Sequence, residues 1–336
     1  MSASGLIDVH SHIVPRTLPA DPTGGQIDKW PCLQCHSPTS ATVLMGSRPF
    51  REIDERSWDT KRRIADMDRD GVAAQALSPM PELLSYWLDL GPATEFARYV
   101  NGAIAEMVAS RPDRFHGLGS VPLQDPVRAA EELRLAKERF GLQGVEIGSN
   151  INGRYLGDRH FDPFFAAAEE LGMAVFVHAL HPLQAQHLAK MPNLVPFAAF
   201  PVDTALCIAS LIMDGVPERF PRLRLGFSHG GGAFGPILHR MQHGWHASKG
   251  FDGKVAQPPK HYAARFFYDS LVYEKAYLAH LATHVAPGQI FAGTDYPYLI
   301  EERDPVAFIG GVAGDVPQGQ TLWSGAARRF LGLDPA

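Results

Sequence analysis

Eight short apolar runs recur along the chain, and their spacing constrains its fold more than any other feature. They are Leu6–Val9, Val72–Leu77, His116–Val121, Gly144–Ile147, Ala174–His178, Leu223–Ser228, Phe266–Asp269 and Ile290–Gly293. Rich in β-branched and aromatic residues, and nearly continuous in apolarity, they suit parallel strands buried on both faces. Between them lie segments of helical period. Phe96, Val100, Ile104, Met107 and Val108 form one stripe that ends before Pro112. Phe234, Ile237, Leu238, Met241 and Trp245 form a second. Leu322, Trp323, Ala326, Phe330 and Leu331 form a third, closed by Gly332. Shorter helices are predicted over 59–70 and 161–171, ended by Gly71 and Gly172. The alternation predicts an α/β fold, a closed (β/α)8 TIM barrel, rather than an open doubly wound sheet. No Gly-x-Gly-x-x-Gly follows the first run, which removes the main sign of a dinucleotide fold.

The whole chain, 1–336, reads as one domain, since no linker, repeat or low-complexity tract divides it. Residues 15–58, rich in Pro, Gly, Ser and Thr, read as a long first βα loop inserted over the barrel mouth. With 45% hydrophobic and 20% charged residues, the composition is that of a soluble globular protein. A formal charge of −5 argues against nucleic acid or a membrane surface as partner, because both need clustered Lys and Arg. No apolar run reaching 18 residues and no charged-then-apolar leader is read in the sequence, so no membrane span is expected. Cys32, Cys35 and Cys207 are too few for a disulfide framework, and a cytoplasmic location is expected.

In such a barrel the C-terminal ends of the strands face one mouth, so polar residues placed there converge. The first run leads into His10-Ser11-His12. Residues two apart on a strand share a face, so both imidazoles can chelate one ion; two loop histidines are the plainer alternative. The fifth run ends in His178, which alone reads more simply as a satisfied buried histidine. The sixth leads into His229-Gly230-Gly231-Gly232, where the glycines permit positive φ and close backbone approach, as in any tight turn. The eighth leads into Thr294-Asp295-Tyr296-Pro297, where an Asp commonly caps a helix. Taken together, four histidines and an aspartate at the ends of strands one, five, six and eight point into one mouth. That convergence predicts a metal site.

In this order, His10-x-His12, His178, His229 and Asp295 resemble the pattern of the amidohydrolase superfamily. The closer resemblance is to the branch typified by 2-amino-3-carboxymuconate-6-semialdehyde decarboxylase, and it spans nearly the whole chain. It rests on Ile7-Asp8-Val9-His10-Ser11-His12, Phe50-Arg51, Val121-Pro122-Leu123-Gln124-Asp125, the His229 glycine run with Arg240 on the next helix, and Gly293-Thr294-Asp295-Tyr296-Pro297.

The resemblance implies that His10, His12, His178 and Asp295 bind one divalent metal, zinc first and manganese as the alternative. Binuclear members of the superfamily bridge two metals with a carbamylated lysine on the fourth strand. Here that strand reads Gly144-Val145-Glu146-Ile147-Gly148; Glu146 could bridge, but one metal is the simpler reading. His229 would stand beside the metal-bound water as the acid–base group, with Asp295 relaying a proton as well as binding metal. Arg51 would fork onto a substrate carboxylate, and Phe197 and Tyr298 would wall the pocket. Arg240 would reach the neighbouring subunit's site in a homodimer. Without the resemblance, both arginines read as solvated charges.

The implied activity is metal-dependent, non-oxidative decarboxylation of a small carboxylated aromatic or ring-cleavage product, in aromatic-compound catabolism. Two departures bear on the substrate. Ala179-Leu180-His181-Pro182 follows His178, where the relative has proline directly, and Phe197 stands where a tryptophan aligns. A hydrolase of the same superfamily, cutting an amide, lactone or C–C bond, would share every one of these residues and is the alternative. A metal barrel serving only as a binding protein would lack His229 or a ligand, and all five positions are filled. Cys32-x-x-Cys35-His36 has no second ligand pair nearby and reads as a loop detail. His181, His187, His239, His243 and His246 read as surface or supporting residues.

Overall fold

The computed structural model describes residues 5–25 and 27–333; both ends of the predicted 1–336 domain, Met1 included, lie outside the described residues. In chain order the strands are β1 (Leu6–Ile13), β2 (Pro31–Ser37), β3 (Ser40–Met45), β4 (Arg48–Asp54), β5 (Val72–Pro79), β6 (Phe115–Gly119) and β7 (Gly144–Gly148). They continue with β8 (Asn150–Ile151), β9 (Arg154–Tyr155), β10 (Ala174–His178), β11 (Arg224–Phe227), β12 (Phe267–Asp269) and β13 (Ile290–Phe291). The eight predicted runs are β1, β5, β6, β7, β10, β11, β12 and β13, which lie side by side in that order. Their pairings are parallel. Bridges from Asp8 to Ala292 and from Ser11 to Tyr296 join the last strand to the first and close the ring. The chain is the (β/α)8 barrel that its alternation predicts.

The connecting helices form where caps and stripes predict them. Asp59 accepts hydrogen bonds from the Lys61 and Arg62 N–H groups and starts helix Thr60–Asp70, and Gly71 ends it at φ 72°. The long stripe becomes Leu90–Ser110 and the second becomes Phe234–Ala247. Inside the barrel, Phe176, Phe267, Phe291 and Phe330 pack together as a floor. The His10 ring rests edge-on against Phe176, with centroids 5.1 Å apart. The site is therefore built directly on a buried aromatic layer.

Two features differ from the sequence reading. The 15–58 segment is not bare loop: β2, β3 and β4 form a three-stranded antiparallel sheet, with Ala41 and Val43 buried. Only β3 buries a clear apolar face, so polar β2 and β4 hide its period. Cys32 and Cys35 consequently lie on a strand, three residues apart and on opposite faces, as unpaired cysteines. The second difference is Val195–Met213, a helical stretch of 19 residues with mean hydropathy 1.8, long and apolar enough to cross a membrane. Pro196, Pro201 and Asp203 mask that run in the sequence. Here it packs on helix Phe234–Ala247, and Asp203 is buried against Ser149, Asn150 and Tyr155.

Candidate active site

β1 extends four residues beyond the apolar run that predicts it, carrying His10 and His12 into the barrel mouth. Both are completely buried, and their Nε2 atoms are 3.1 Å apart. His10 Nδ1 lies 2.6 Å from Oδ2 of Asp269, His12 Nδ1 lies 3.0 Å from the Pro79 carbonyl, and His178 Nδ1 lies 2.8 Å from the Ala179 carbonyl. Each acceptor draws the ring proton to Nδ1 and leaves the Nε2 lone pair facing inward. Asp295 adds a carboxylate oxygen 3.5 Å from His10 Nε2 and 3.2 Å from His12 Nε2. That oxygen is buried and has no hydrogen-bond partner. One donor atom from each of His10, His12, His178 and Asp295 lies within 4.8 Å of all the others. Three imidazole nitrogens and an orphaned carboxylate oxygen fit one divalent ion.

The electrostatics suit this donor set at His12, His178 and Asp295, while His10 carries a proton at neutral pH that a bound ion would displace. Burial pushes His12, His178 and His229 below the ordinary imidazole value, and the neighbouring imidazoles push His178 and His229 down further. These rings are neutral and hold their lone pairs. Burial also opposes charge on His10, but its bond to Asp269 and the nearby Asp295 lift it to about 9. Asp295 is held well below the usual carboxylate range, because His12 and His10 outweigh its burial. Glu146 is buried 3.5 Å from His12 Nδ1, and burial raises it to about 8, which keeps it protonated at neutral pH. A protonated acid is a poor bridge for a second ion.

His229 stands just outside the four donors. Its ring centroid is 5.1 Å from that of His178 and 5.2 Å from that of His10, and its Nδ1 is buried without a partner. Both His229, at φ 55°, and Asp295, at φ 62°, occupy the left-handed region, a conformation that ordinary side chains rarely adopt. Asp269 explains how His229 is held: the N–H groups of His229 and Gly230 donate to its two oxygens at 2.8 and 2.7 Å. One carboxylate thus orients both His10 and the turn that carries His229. The sequence reading passed over Asp269, although it ends the seventh apolar run. Arg63 was also missed; its buried guanidinium donates to the His12 carbonyl at 2.8 Å and to Ser11 Oγ at 2.9 Å.

Above the donors opens a cavity of about 470 Å³. Arg51, Phe197 and Tyr298 line it, together with His178, His229 and Asp295. The Arg51 guanidinium lies 4.2 Å from the Tyr298 ring centroid, and Tyr298 stacks on His12. Arg240 is not part of this lining; it projects from helix Phe234–Ala247 as an exposed residue. Glu82, in the turn after β5, also lines the cavity and is buried, another residue the sequence reading did not single out. Burial raises its carboxyl above the usual range, and Arg51 opposes that rise.

The chain has relatives in sequence and in fold among known proteins. The amidohydrolase family model matches residues 7–333. A 2-amino-3-carboxymuconate-6-semialdehyde decarboxylase of Dictyostelium discoideum is 36% identical over 334 residues, covering 98% of this chain and 92% of that protein. The crystal structure of 5-carboxyvanillate decarboxylase from Sphingomonas paucimobilis superposes with a TM-score of 0.82 at 25% identity, over 98% of this chain and 99% of that one. A point mutant of the corresponding enzyme of Novosphingobium aromaticivorans, solved with bound manganese and 3-methoxy-4-hydroxy-5-nitrobenzoic acid, gives a TM-score of 0.73 at 25% identity over 83% of each chain.

Proposed function

The chain belongs to the amidohydrolase family, and from that premise we propose that it is a metal-dependent decarboxylase, a carboxy-lyase acting on a small carboxylated aromatic compound or ring-cleavage product. The observation that carries this reading is the convergence of three proton-directed imidazoles and the orphaned Asp295 oxygen on one point, with neutral His229 beside it. The reaction type follows the relatives, whose names describe decarboxylases of such carboxylates.

In this reading His10, His12, His178 and Asp295 hold one divalent ion. The three-imidazole set favours zinc, whereas a relative solved with manganese supports that metal as the alternative. When bound, the ion supplies Lewis acidity and acidifies water at its open position. Arg51 forks onto the substrate carboxylate, while Tyr298 and Phe197 flank the ring and exclude water. His229 and Asp295 move the proton: neutral His229 takes one from water in the pocket, and as the carbon–carboxylate bond breaks, CO2 leaves, the electron pair stays on the ring carbon, and that proton, returned from His229, replaces the lost group.

The working unit in this reading is a homodimer within which Arg240 reaches the partner's pocket. Exposed apolar side chains near the mouth, Met191, Leu194, Phe197, Val202 and Leu206, support such a contact. Arg51 on β4, which lines the barrel cavity, supports the reading of the 15–58 insertion as part of one single domain. Unpaired cysteines support a reducing, cytoplasmic setting. The test is CO2 release from carboxylated aromatics by the metal-loaded protein, with His229→Ala expected to keep the metal and lose turnover. Release of an amine or of a newly formed carboxylate in place of CO2 would overturn the reading in favour of hydrolysis.

A further inference from the structure

The pocket contains a carboxylate that the proposed reaction leaves without a task. Glu82 follows Pro81 in the helical turn Pro81–Leu84, directly after β5, and is only 7% exposed. It lines the cavity, yet its Oε2 is buried with no hydrogen-bond partner. Arg51 lines the same cavity but lies over the Tyr298 ring instead of pairing with it. The Tyr298 hydroxyl is itself buried and unpartnered, so these two neighbours of Arg51 do not satisfy one another. Elsewhere the lining is mostly apolar, with Phe200, Leu271, Val272 and Leu299 offering no donor. A buried carboxylate oxygen without a donor is costly, and a ligand that brings a donor removes that cost.

We propose that Glu82 is the specificity-determining residue of this pocket: it selects a carboxylated aromatic that also carries a hydroxyl or amino group, accepting that group's hydrogen bond while Arg51 holds the carboxylate. This deepens the decarboxylase reading and rests on it for the carboxylated ring. The selection works as such sites do generally. A ligand lacking the donor leaves the buried acceptor unpaired and is rejected, whereas one more apolar contact would discriminate weakly.

The test is calorimetric binding of hydroxybenzoates and aminobenzoates, substituted at each ring position, against unsubstituted benzoate, with CO2 release followed in parallel. The proteins are the metal-loaded wild type, Glu82→Leu and Glu82→Gln. For at least one ring position the wild type should bind the donor-bearing compound about ten- to a hundredfold tighter. Glu82→Leu should lose that preference, and Glu82→Gln, which keeps an acceptor, should restore part of it. A wild type without preference, or a preference that survives in Glu82→Leu, overturns the proposal. Preference without CO2 release from any compound would contradict the decarboxylase reading and leave the role of Glu82 standing. CO2 release without preference would do the reverse.

Discussion

Oδ2 of Asp269 lies 2.6 Å from Nδ1 of His10, with both side chains fully buried. The pair ties β12 to β1 across the barrel mouth and fixes the His10 tautomer. It also makes Nε2 a better donor, since a carboxylate behind an imidazole raises its basicity. Replacing Asp269 with Asn should weaken metal binding or turnover about 10- to 100-fold, the usual effect of removing such a supporting group. Titration of the metal-free protein with zinc or manganese measures the first, and initial rates measure the second. Unchanged affinity and rate would show that His10 does not depend on Asp269.

Gly232 is required by the turn that carries His229. Its φ is +60°, and a Cβ placed there would stand 2.2 Å from the Pro201 carbonyl oxygen. Neither backbone can yield easily, because the Ala233 N–H donates to that same carbonyl. Gly232→Ala should lower stability by about 2–4 kcal/mol, the combined effect of a left-handed non-glycine residue and overpacking. Denaturant unfolding checks this, and a variant as stable as the wild type would contradict it.

Asp66 offers a pH-dependent test away from the metal donors. It is buried on helix Thr60–Asp70, and accepts hydrogen bonds from Arg62 at 3.1 Å, Arg69 at 2.5 Å and the Tyr296 hydroxyl at 2.8 Å. Burial alone would raise its pKa, but these partners hold it below the ordinary carboxylate value. Its contribution to stability is therefore present above the unfolded value of about 4 and is lost as pH falls through the lower folded value. Asp66→Asn should cost about 1–3 kcal/mol at neutral pH, and the difference from wild type should shrink on acidification. A difference independent of pH would mean that the charge of Asp66 does not matter.

Much of this was legible in the sequence because the barrel repeats one physical pattern. Every strand buried on two faces shows as an apolar run, and the polar residues that end four of those runs are the ones that meet at the mouth. Where apolarity stops being a guide, the reading stops too. β1 continues through His10, Ser11 and His12, polar residues buried by hydrogen bonds and not by hydrophobicity. Asp269 acts through partners far away in sequence, and Glu82 lines a cavity enclosed by distant segments, so neither has a local signature beyond its place at or just after a strand end. Glu82 in particular stands between a proline and two leucines, a context that suggests nothing of a pocket. The β2–β4 sheet was hidden because two of its strands, β2 and β4, are mostly exposed and polar.

A one-ion decarboxylase site stands or falls on the metal content per chain of protein never exposed to chelator, measured with CO2 release from a panel of carboxylated aromatics on the same sample. About one zinc or manganese ion per chain is expected, with CO2 release that a chelator abolishes and added metal restores. Protein that carries no divalent metal, or that releases CO2 equally well after the metal is stripped, would contradict it.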